Sequence, residues 1–291
     1  MSKTILSKFP TSARLWTGHA QLQRLQGKPH LARKVYQTCL ASPQDAAHPI
    51  IDWIGTADGH DKMKMWYAWA ETEWLDGQDF VATRVLCSAC GVPVHLSDSD
   101  MRIPILRARQ AYTRALSSSS TLGEALVPLL NAYALLELLQ THDVPHVLQL
   151  YAQQISNCTF LHDNDRSWGR IREAIVYSSA YLIYHYTITL RNPCPPIYLR
   201  KHVPDLIGQY PSNTLLLGMW LESERGEALW GRVRNGISDV VLGGDVSGTM
   251  KTVGVSRWLW SLWVEKWERG AWDANRVRSM LRKAIEVPRY A

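Results

Sequence analysis

The amino-acid sequence predicts an all-α protein, an α-solenoid of antiparallel helix pairs. First, nearly every long segment of the 291 residues has a hydrophobic period close to that of a helix, and no stretch alternates convincingly with period two. Second, an amphipathic frame recurs five times, with large apolar, apolar and polar residues at i, i+4 and i+7. Third, one nine-residue segment aligns without gaps on another. Recurring helix pairs are typical of solenoids, whose units bury their faces only against each other.

The recurring frame and the aligned segments define two kinds of helix, A and B. The five A frames are Trp16/Ala20/Gln23, Trp66/Ala70/Glu73, Leu130/Ala134/Glu137, Leu217/Leu221/Glu224 and Trp258/Leu262/Glu265. In the B segments, Ala32, Arg33, Tyr36 and Leu40 align with Ala108, Arg109, Tyr112 and Leu116. The A frames begin about 40 to 90 residues apart, so the sequence predicts a degenerate repeat with inserted helices.

The periodic segments, taken in order, predict about 12 to 14 helices. Their expected ranges are 12–27 with 29–41, 61–77 with 79–90, 101–117, 122–140 with 144–157, 165–191 with 196–210, 213–226 with 227–242, and 253–270 with 272–286. Polar or Gly/Pro-rich breakers separate several of them, at 97–100, 117–120, 193–196 and 243–248.

The composition is that of a globular protein, with 46% hydrophobic and 20% charged residues. We expect one solenoid over residues 1–291 that is a piece of a longer protein, because both ends are abrupt and solenoids need polar caps. The chain opens without a secretory signal pattern, and its most apolar stretch, residues 125–139, is interrupted and too short to span a bilayer. We therefore expect a soluble intracellular protein that does not bind membranes.

The net charge is +6, with a pI near 9.1, which is compatible with RNA or an acidic protein partner and equally with a mildly basic soluble protein. Arginines flank apolar stripes in three segments: Arg107, Arg109 and Arg114; Arg232 and Arg234; and Arg276, Arg278 and Arg282. They form either a basic surface for RNA or an acidic peptide, or a solvated flank with some arginines paired to glutamates of neighbouring helices.

Four motifs suggest chemistry, and each lacks a part that the chemistry requires. Cys87 and Cys90 have no second pair of zinc ligands at suitable spacing, so we expect buried thiols. His142 and His146 lack the glutamate of a metalloprotease helix. Residues 244–252 lack the adjacent Gly-Lys-Ser/Thr of a phosphate loop, and the acidic triplet 163–165 has no second metal motif. We expect no metal, no nucleotide, no other cofactor and no catalysis; an all-α enzyme that uses the acidic triplet is the alternative.

The combination of the A and B patterns resembles the half-a-tetratricopeptide (HAT) repeat of RNA-processing scaffolds. The resemblance implies a tetratricopeptide-like superhelix in which the aromatic, Glu and Arg/Tyr positions lock helix A onto helix B. The positions that fit this structural role are Trp16, Arg33, Tyr36, Trp66, Glu73, Arg109, Tyr112, Glu137, Glu224 and Glu265.

Two further segments are similar to the C-terminal half of the nuclear-RNAi-defective family, whose members are necessary for RNA interference. One is the Pro-x-Asn-Thr turn at Asn213 followed by the Arg-Val-Arg run at 232–234, and the other is residues 275–285. The resemblance implies a nuclear protein in RNA surveillance, splicing and gene silencing, with the nuclear exosome RNA helicase or a splicing-linked factor as partner. In that family a segment N-terminal to the repeats is usually credited with the helicase contact.

The sequence thus predicts a non-catalytic scaffold that binds a helical or extended segment of a protein partner, and direct RNA binding by the basic helix faces is the alternative. The predicted partner site lies in residues 213–286, where seven tryptophans cannot all share one helix face. Exposed aromatic and arginine side chains are typical of binding hot spots. The residues proposed for this site are Trp258, Trp260, Arg232, Arg234, Arg276, Arg278 and Arg282.

Overall fold

In the residues that it describes, the computed structural model contains helices and connecting turns but no strands, which confirms the predicted all-α class for that part of the chain. The described residues are 6, 9, 12–40, 54–56, 58–92, 101–117, 123–161, 166–210, 213–225, 275, 278 and 282. They contain ten α-helices, one 3-10 turn and one π-helical segment. The chain divides into two compact units, Met1–Ser179 and Ala180–Ala291.

The first unit begins with two helices joined by a tight turn, α1 (Ala13–Leu25) and α2 (Pro29–Leu40), which contact each other. The side chain of Ser12 caps α1, because its Oγ accepts from Leu15 N–H at 3.4 Å. In the turn, Lys28 N–H donates to Gln23 O at 3.0 Å across Gly27, whose φ is +72°. This is a Schellman end, which requires the left-handed backbone that glycine adopts without strain.

The same turn recurs between α3 (Gly59–Leu75) and α4 (Asp79–Ala89). Gln78 N–H donates to Glu73 O at 2.9 Å across Gly77, whose φ is +73°. The two connections therefore have the same length and hydrogen-bond pattern, 50 residues apart. Helix α3 contacts α1, α2 and α4, so these four helices form one packed group.

Twelve of the 16 residues of α6 (Leu126–Thr141) are buried, and this helix contacts α3, α4, α5 (Arg102–Ser117) and α7 (Val144–Leu161). Its leucines and alanines favour a helix and leave few polar groups to hydrate. The sequence placed the start of α6 at residue 122, but a 3-10 turn covers Gly123–Ala125 and the α-helix begins at Leu126. Proline is tolerated in the first turn, which is where Pro128 lies.

A chain of buried hydrogen bonds joins α6 to α7 and to α8 (Arg166–Tyr184). Tyr151 on α7 donates to Asn131 Oδ1 at 3.0 Å, and Asn131 Nδ2 donates to Ser178 Oγ on α8 at 3.0 Å. Burial raises the pKa of Tyr151. Buried polar groups are normally hydrogen-bonded, and these two hydrogen bonds link the three helices through Asn131.

The second unit contains the end of α8, a π-helical segment (His185–Thr189), α9 (Pro196–Gln209) and α10 (Thr214–Arg225). The sequence predicted one helix to residue 191, but the α-helix ends at Tyr184 and Leu190 N–H bonds five residues back, to His185 O, at 2.9 Å. Helices α9 and α10 contact each other. The predicted helices 227–242, 253–270 and 272–286 fall wholly or mostly outside the described residues.

Within the described ranges, every helix falls short of the combined length and hydropathy that a bilayer crossing requires. This agrees with the apolar stretch 125–139, which forms most of α6 and is buried among other helices of the same unit.

Candidate protein-binding site

The aligned arginine of the first B segment binds the aligned glutamate of the next A helix. Arg33 Nε on α2 lies 2.9 Å from both carboxylate oxygens of Glu73 on α3, and the same arginine also pairs with Asp76. Trp69 Nε1 donates to Glu73 Oε1 at 3.0 Å. Glu73 is almost fully buried, and its charge is balanced by the Arg33 guanidinium, whose Nε–H is shared between the two carboxylate oxygens, and by an indole N–H.

The second B segment repeats this contact with its own following A helix. Arg109 Nη2 on α5 lies 2.7 Å from Glu137 Oε2 on α6, and Glu137 is again buried. His146 Nε2 lies 4.0 Å from the same oxygen. Both ion pairs connect a B helix to the A helix that follows it in sequence, α2 to α3 and α5 to α6.

An aromatic stack recurs at aligned positions beside the two ion pairs. Tyr36 stacks on Trp69 with ring centroids 6.3 Å apart, and Tyr112 stacks on Tyr133 at 5.8 Å. Trp69 and Tyr133 each lie three residues after the first residue of their A frame. Both B-segment tyrosines are fully buried, and burial raises the pKa of Tyr36 to about 12 and that of Tyr112 well above its usual value.

The small residues of the A and B patterns lie in the core. Ala20, Ala70 and Ala134 are completely buried on the A helices, as are Ala32 and Ala108 on the B helices. Among the large positions, Trp66 and Leu130 are buried, whereas Trp16 is half-buried. The sequence frame therefore marks the interior face of α1, α3 and α6.

In the second unit, Asn213 caps α10, because its Oδ1 accepts from the N–H groups of Leu215 and Leu216, each at 3.1 Å. Asn213 and Thr214, the last two residues of the Pro-x-Asn-Thr motif, thus lie at the start of a helix. Leu217 is buried on α10. Glu224 lies on the same helix, but its side chain and the whole of Glu265 are outside the described residues.

Two of the seven residues predicted for partner binding, Arg278 and Arg282, are described. Both are helical and exposed, as is Asn275. The remaining predicted positions, Trp258, Trp260, Arg232, Arg234 and Arg276, lie outside the described residues.

The middle arginine group divides between the two interpretations offered by the sequence. Arg109 is engaged by Glu137, as expected for a structural flank. Arg107 and Arg114 on the same helix are exposed. Arg24 on α1 is also engaged, through Glu71 Oε2 at 3.0 Å. The part of the chain described in unit 1 therefore uses Arg24, Arg33 and Arg109 to join helices.

The motifs that suggested chemistry are placed as follows. Cys87 and Cys90 are buried, and burial raises the pKa of Cys87 to about 12. His142 ends α6 in a left-handed conformation, and Asp143 Oδ1 caps α7 by accepting from His146 N–H at 3.2 Å, so the two histidines do not share a helix. Over the ranges described, His, Cys, Asp and Glu side chains form no group of three that could hold a metal ion. Residues 163–165 and 244–252 are outside those ranges.

A cleft of about 270 Å³ opens between α5, α6 and α7. Its lining residues are Thr113, Leu116, Ser117, Leu130, Tyr133, Leu150, Gln153, Gln154 and Asn157. Leucines form the apolar part of the surface, and carboxamide and hydroxyl groups form the polar part. Sequence reasoning missed this cleft, because the polar residues on α7 belong to neither the A nor the B pattern.

No protein-family model matches the chain, and no curated protein matches it significantly. The similarity to HAT repeats and to the nuclear-RNAi-defective family therefore stays a prediction from the motifs.

Proposed function

We propose that this protein is a non-catalytic scaffold, an α-solenoid of antiparallel helix pairs of the HAT type, that binds a protein partner in a nuclear RNA-processing complex. The observation that carries the proposal is the repeated ion pair. Arg33–Glu73 and Arg109–Glu137 join sequence-aligned positions, although 40 residues separate the first pair and 28 the second. The same joint built twice between successive helix pairs is what a degenerate solenoid requires.

Two further recurrences support the repeat interpretation. The tyrosine that follows each arginine by three positions stacks on the aromatic residue four positions before each glutamate. The Schellman turns at Gly27 and Gly77 close two helix pairs in the same way. A scaffold of stacked pairs presents extended surfaces to partners, which is the usual function of such repeats.

The assignment to RNA processing comes from the sequence resemblance. On that basis the complex acts in RNA surveillance, splicing or gene silencing, and the partner is the nuclear exosome RNA helicase or a splicing-linked factor. The proposed contact is a helical or extended protein segment held by the tryptophans and arginines of residues 213–286. In this region the exposure of Arg278 and Arg282 supports the proposal.

The same two arginines favour the second candidate function, direct RNA binding. Exposed basic side chains attract phosphates, and such binding weakens steeply as the salt concentration rises, because releasing condensed counterions into a more concentrated solution gains less free energy. Docking of an apolar segment persists when salt screens charges, since the Debye length is only about 3 Å at 1 M salt.

The test is affinity purification of the tagged chain from nuclear extract, with and without ribonuclease, over a salt series, followed by mass spectrometry of the eluate. The scaffold proposal expects a defined set of RNA-processing proteins that survives ribonuclease and high salt. Recovery of RNA alone, lost as salt rises, would favour direct RNA binding. An eluate without RNA-processing proteins under every condition would overturn the proposed function.

A further inference from the structure

Helix α1 carries apolar side chains on a second face, away from the interior face that the A frame marks. This outer face of α1 consists of four residues whose spacing places them on one side of the helix, Gly18, Gln21, Leu22 and Leu25. Leu22 is 50% exposed and Leu25 is 81% exposed. Single exposed leucines are common, but two of them on one side of a helix beside a glycine form an apolar patch that a partner can cover.

The aligned residues of the other A helices are covered within the first unit. The positions that correspond to Leu22 and Leu25 are Thr72 and Leu75 on α3, and Leu136 and Leu139 on α6. Leu75 is half-buried and the other three are buried. The same face is therefore part of the packing on α3 and α6, whereas on α1 its leucines are exposed.

The structure shows what covers this face on α3. Helix α1 contacts α3, and Arg24 Nη1 on α1 lies 3.0 Å from Glu71 Oε2 on α3. Glu71 aligns with Gln21, which belongs to the outer face of α1 and is exposed. Helix α3 in turn contacts α6. A helix that packs on the outer face of α1 would therefore continue the existing series of contacts between A helices.

The glycine of the outer face allows a helix to approach closely. Gly18 aligns with Ala68 on α3 and Ala132 on α6, so all three A helices have a small residue at this place. A Cβ atom at position 18 would meet no described atom within 4 Å, so the packing shown by the structure does not require glycine there. Glycine in a helix interior costs stability relative to alanine. Small residues at a contact reduce the distance between two packed helices, which gives this glycine a role in binding.

The charges near the outer face restrict the kind of helix that fits. Gln21 replaces the carboxylate that Glu71 offers to Arg24, so an arginine placed in the same way on α1 would find no opposite charge. Helix α1 contains two arginines and no acidic residue, so two copies of α1 packed together would bring like charges close. These observations favour a helix of a different protein, with an uncharged contact stripe, over a second copy of this chain.

We propose that the outer face of α1 binds an amphipathic helix of a partner protein, which packs across Gly18 and covers Leu22 and Leu25 with an uncharged apolar stripe. The proposal rests on the proposed scaffold function and gives it a second binding surface in the first unit, separate from residues 213–286.

The probe is a phage-displayed library of a small helical-bundle protein in which one surface face of a single helix is randomised. It is selected on the full chain, and the binding of purified winners is measured by fluorescence anisotropy. The expected winners carry leucine and small residues at helical spacing, without charge in the centre of the stripe. Leu22→Ser combined with Leu25→Ser should weaken their binding about tenfold or more, because the contact loses most of its apolar surface.

The matched control is Ile103→Ser combined with Leu106→Ser. These two aliphatic side chains on α5 are 61% and 56% exposed, so their loss removes a similar amount of exposed apolar surface. The control should leave binding unchanged. Equal losses in the two double variants would mean that the winners adhere to apolar surface in general, which would refute the proposal.

Gly18→Leu separates close helix packing from simple apolar contact. A leucine at position 18 adds apolar surface, so a patch that binds by area alone should bind the winners more tightly. A helix that packs across Gly18 should instead bind about tenfold or more weakly, in a variant whose circular dichroism matches that of the wild type. If this variant does not fold, the two pairs of serine substitutions decide.

Three results would overturn the proposal: a selection without winners, winners whose binding survives the serine pair on α1, or unchanged binding by a folded Gly18→Leu variant. Sedimentation of the chain alone adds a fourth, a dimer that the serine pair on α1 dissociates, because the occupant would then be a second copy. If winners depend on the outer face but nuclear extract yields no RNA-processing protein, the surface stands and the proposed function fails. If RNA-processing proteins are recovered and no winner depends on the outer face, only the surface fails.

Discussion

The ion pair between Arg109 and Glu137 allows a quantitative prediction about stability. The glutamate side chain is 5% exposed and that of the arginine 34%, with 2.7 Å between Nη2 and Oε2. Removing one partner of a buried pair costs about 3–5 kcal/mol, because the other charge stays buried without compensation. A fully exposed pair contributes about 0–1 kcal/mol. Since only the carboxylate is well buried, we expect Arg109→Leu to lower the free energy of unfolding by about 2–3 kcal/mol.

The assay is urea denaturation at pH 7, followed by circular dichroism for Arg109→Leu, Glu137→Gln and the double variant. Combining the two substitutions should cost less than their sum, because Gln at position 137 leaves no buried charge for the arginine to neutralise. Arg107→Leu is the control: this neighbour on the same helix is exposed, and its loss should change stability by no more than about 0.5 kcal/mol. If Arg109→Leu proves as mild as the control, or if the two costs simply add, the pair does not join α5 to α6 as argued.

Three further outcomes follow from the described contacts. Tyr112→Phe removes the 2.9 Å hydrogen bond from the buried hydroxyl to the backbone of α4 and should cost about 1–2 kcal/mol in the same urea assay; an unchanged midpoint would contradict it. The free energy of unfolding should fall as pH rises above about 9, because the thiol of the unfolded chain loses its proton there while burial raises the pKa of Cys87 to about 12. Urea denaturation at pH 7 and pH 10 measures this loss of stability, and Cys87→Ala should reduce it. The double variant Arg278→Ala with Arg282→Ala should lower the recovery of the partner in affinity purification. The control Arg14→Ala with Lys34→Ala removes the same charge from exposed sites and should leave recovery unchanged. If both double variants recover the partner equally, Arg278 and Arg282 do not belong to the interface.

The positions that hold helices together could be predicted because their chemistry is repeated. An arginine and a tyrosine three residues apart recur in the two B segments, and the structure gives both arginines the aligned glutamate as partner. The ends of α1 and α3 could also be predicted, because Gly27 and Gly77 lie just where the hydrophobic period of each helix stops. The repeated Leu-x-Gly turn was a signal in the sequence that the A and B patterns did not include.

The geometry of each ion pair could not be predicted in the same way. Arg33 Nε contacts both carboxylate oxygens of Glu73, whereas Arg109 Nη2 contacts only Oε2 of Glu137. This difference depends on how closely the helices approach and on which neighbour shares the carboxylate, Trp69 in one case and His146 at a longer distance in the other. Such distances result from packing over several helices, and aligned sequence positions carry no information about them.

The aligned positions Trp66 and Leu130 lead to a reciprocal prediction. The sequence shows a large residue at one and a smaller residue at the other, but only the structure shows that both side chains are buried. Trp66→Leu should cost about 1–3 kcal/mol, less than the 3–5 kcal/mol typical of Trp→Ala, because it removes the stack on Trp69 from a buried site. Leu130→Trp should also cost about 1–3 kcal/mol, because Leu130 is completely buried and an indole would overpack the core there. Urea denaturation of the two variants checks both costs. A neutral Leu130→Trp variant would mean that the core around Leu130 has room for the larger side chain of the aligned position.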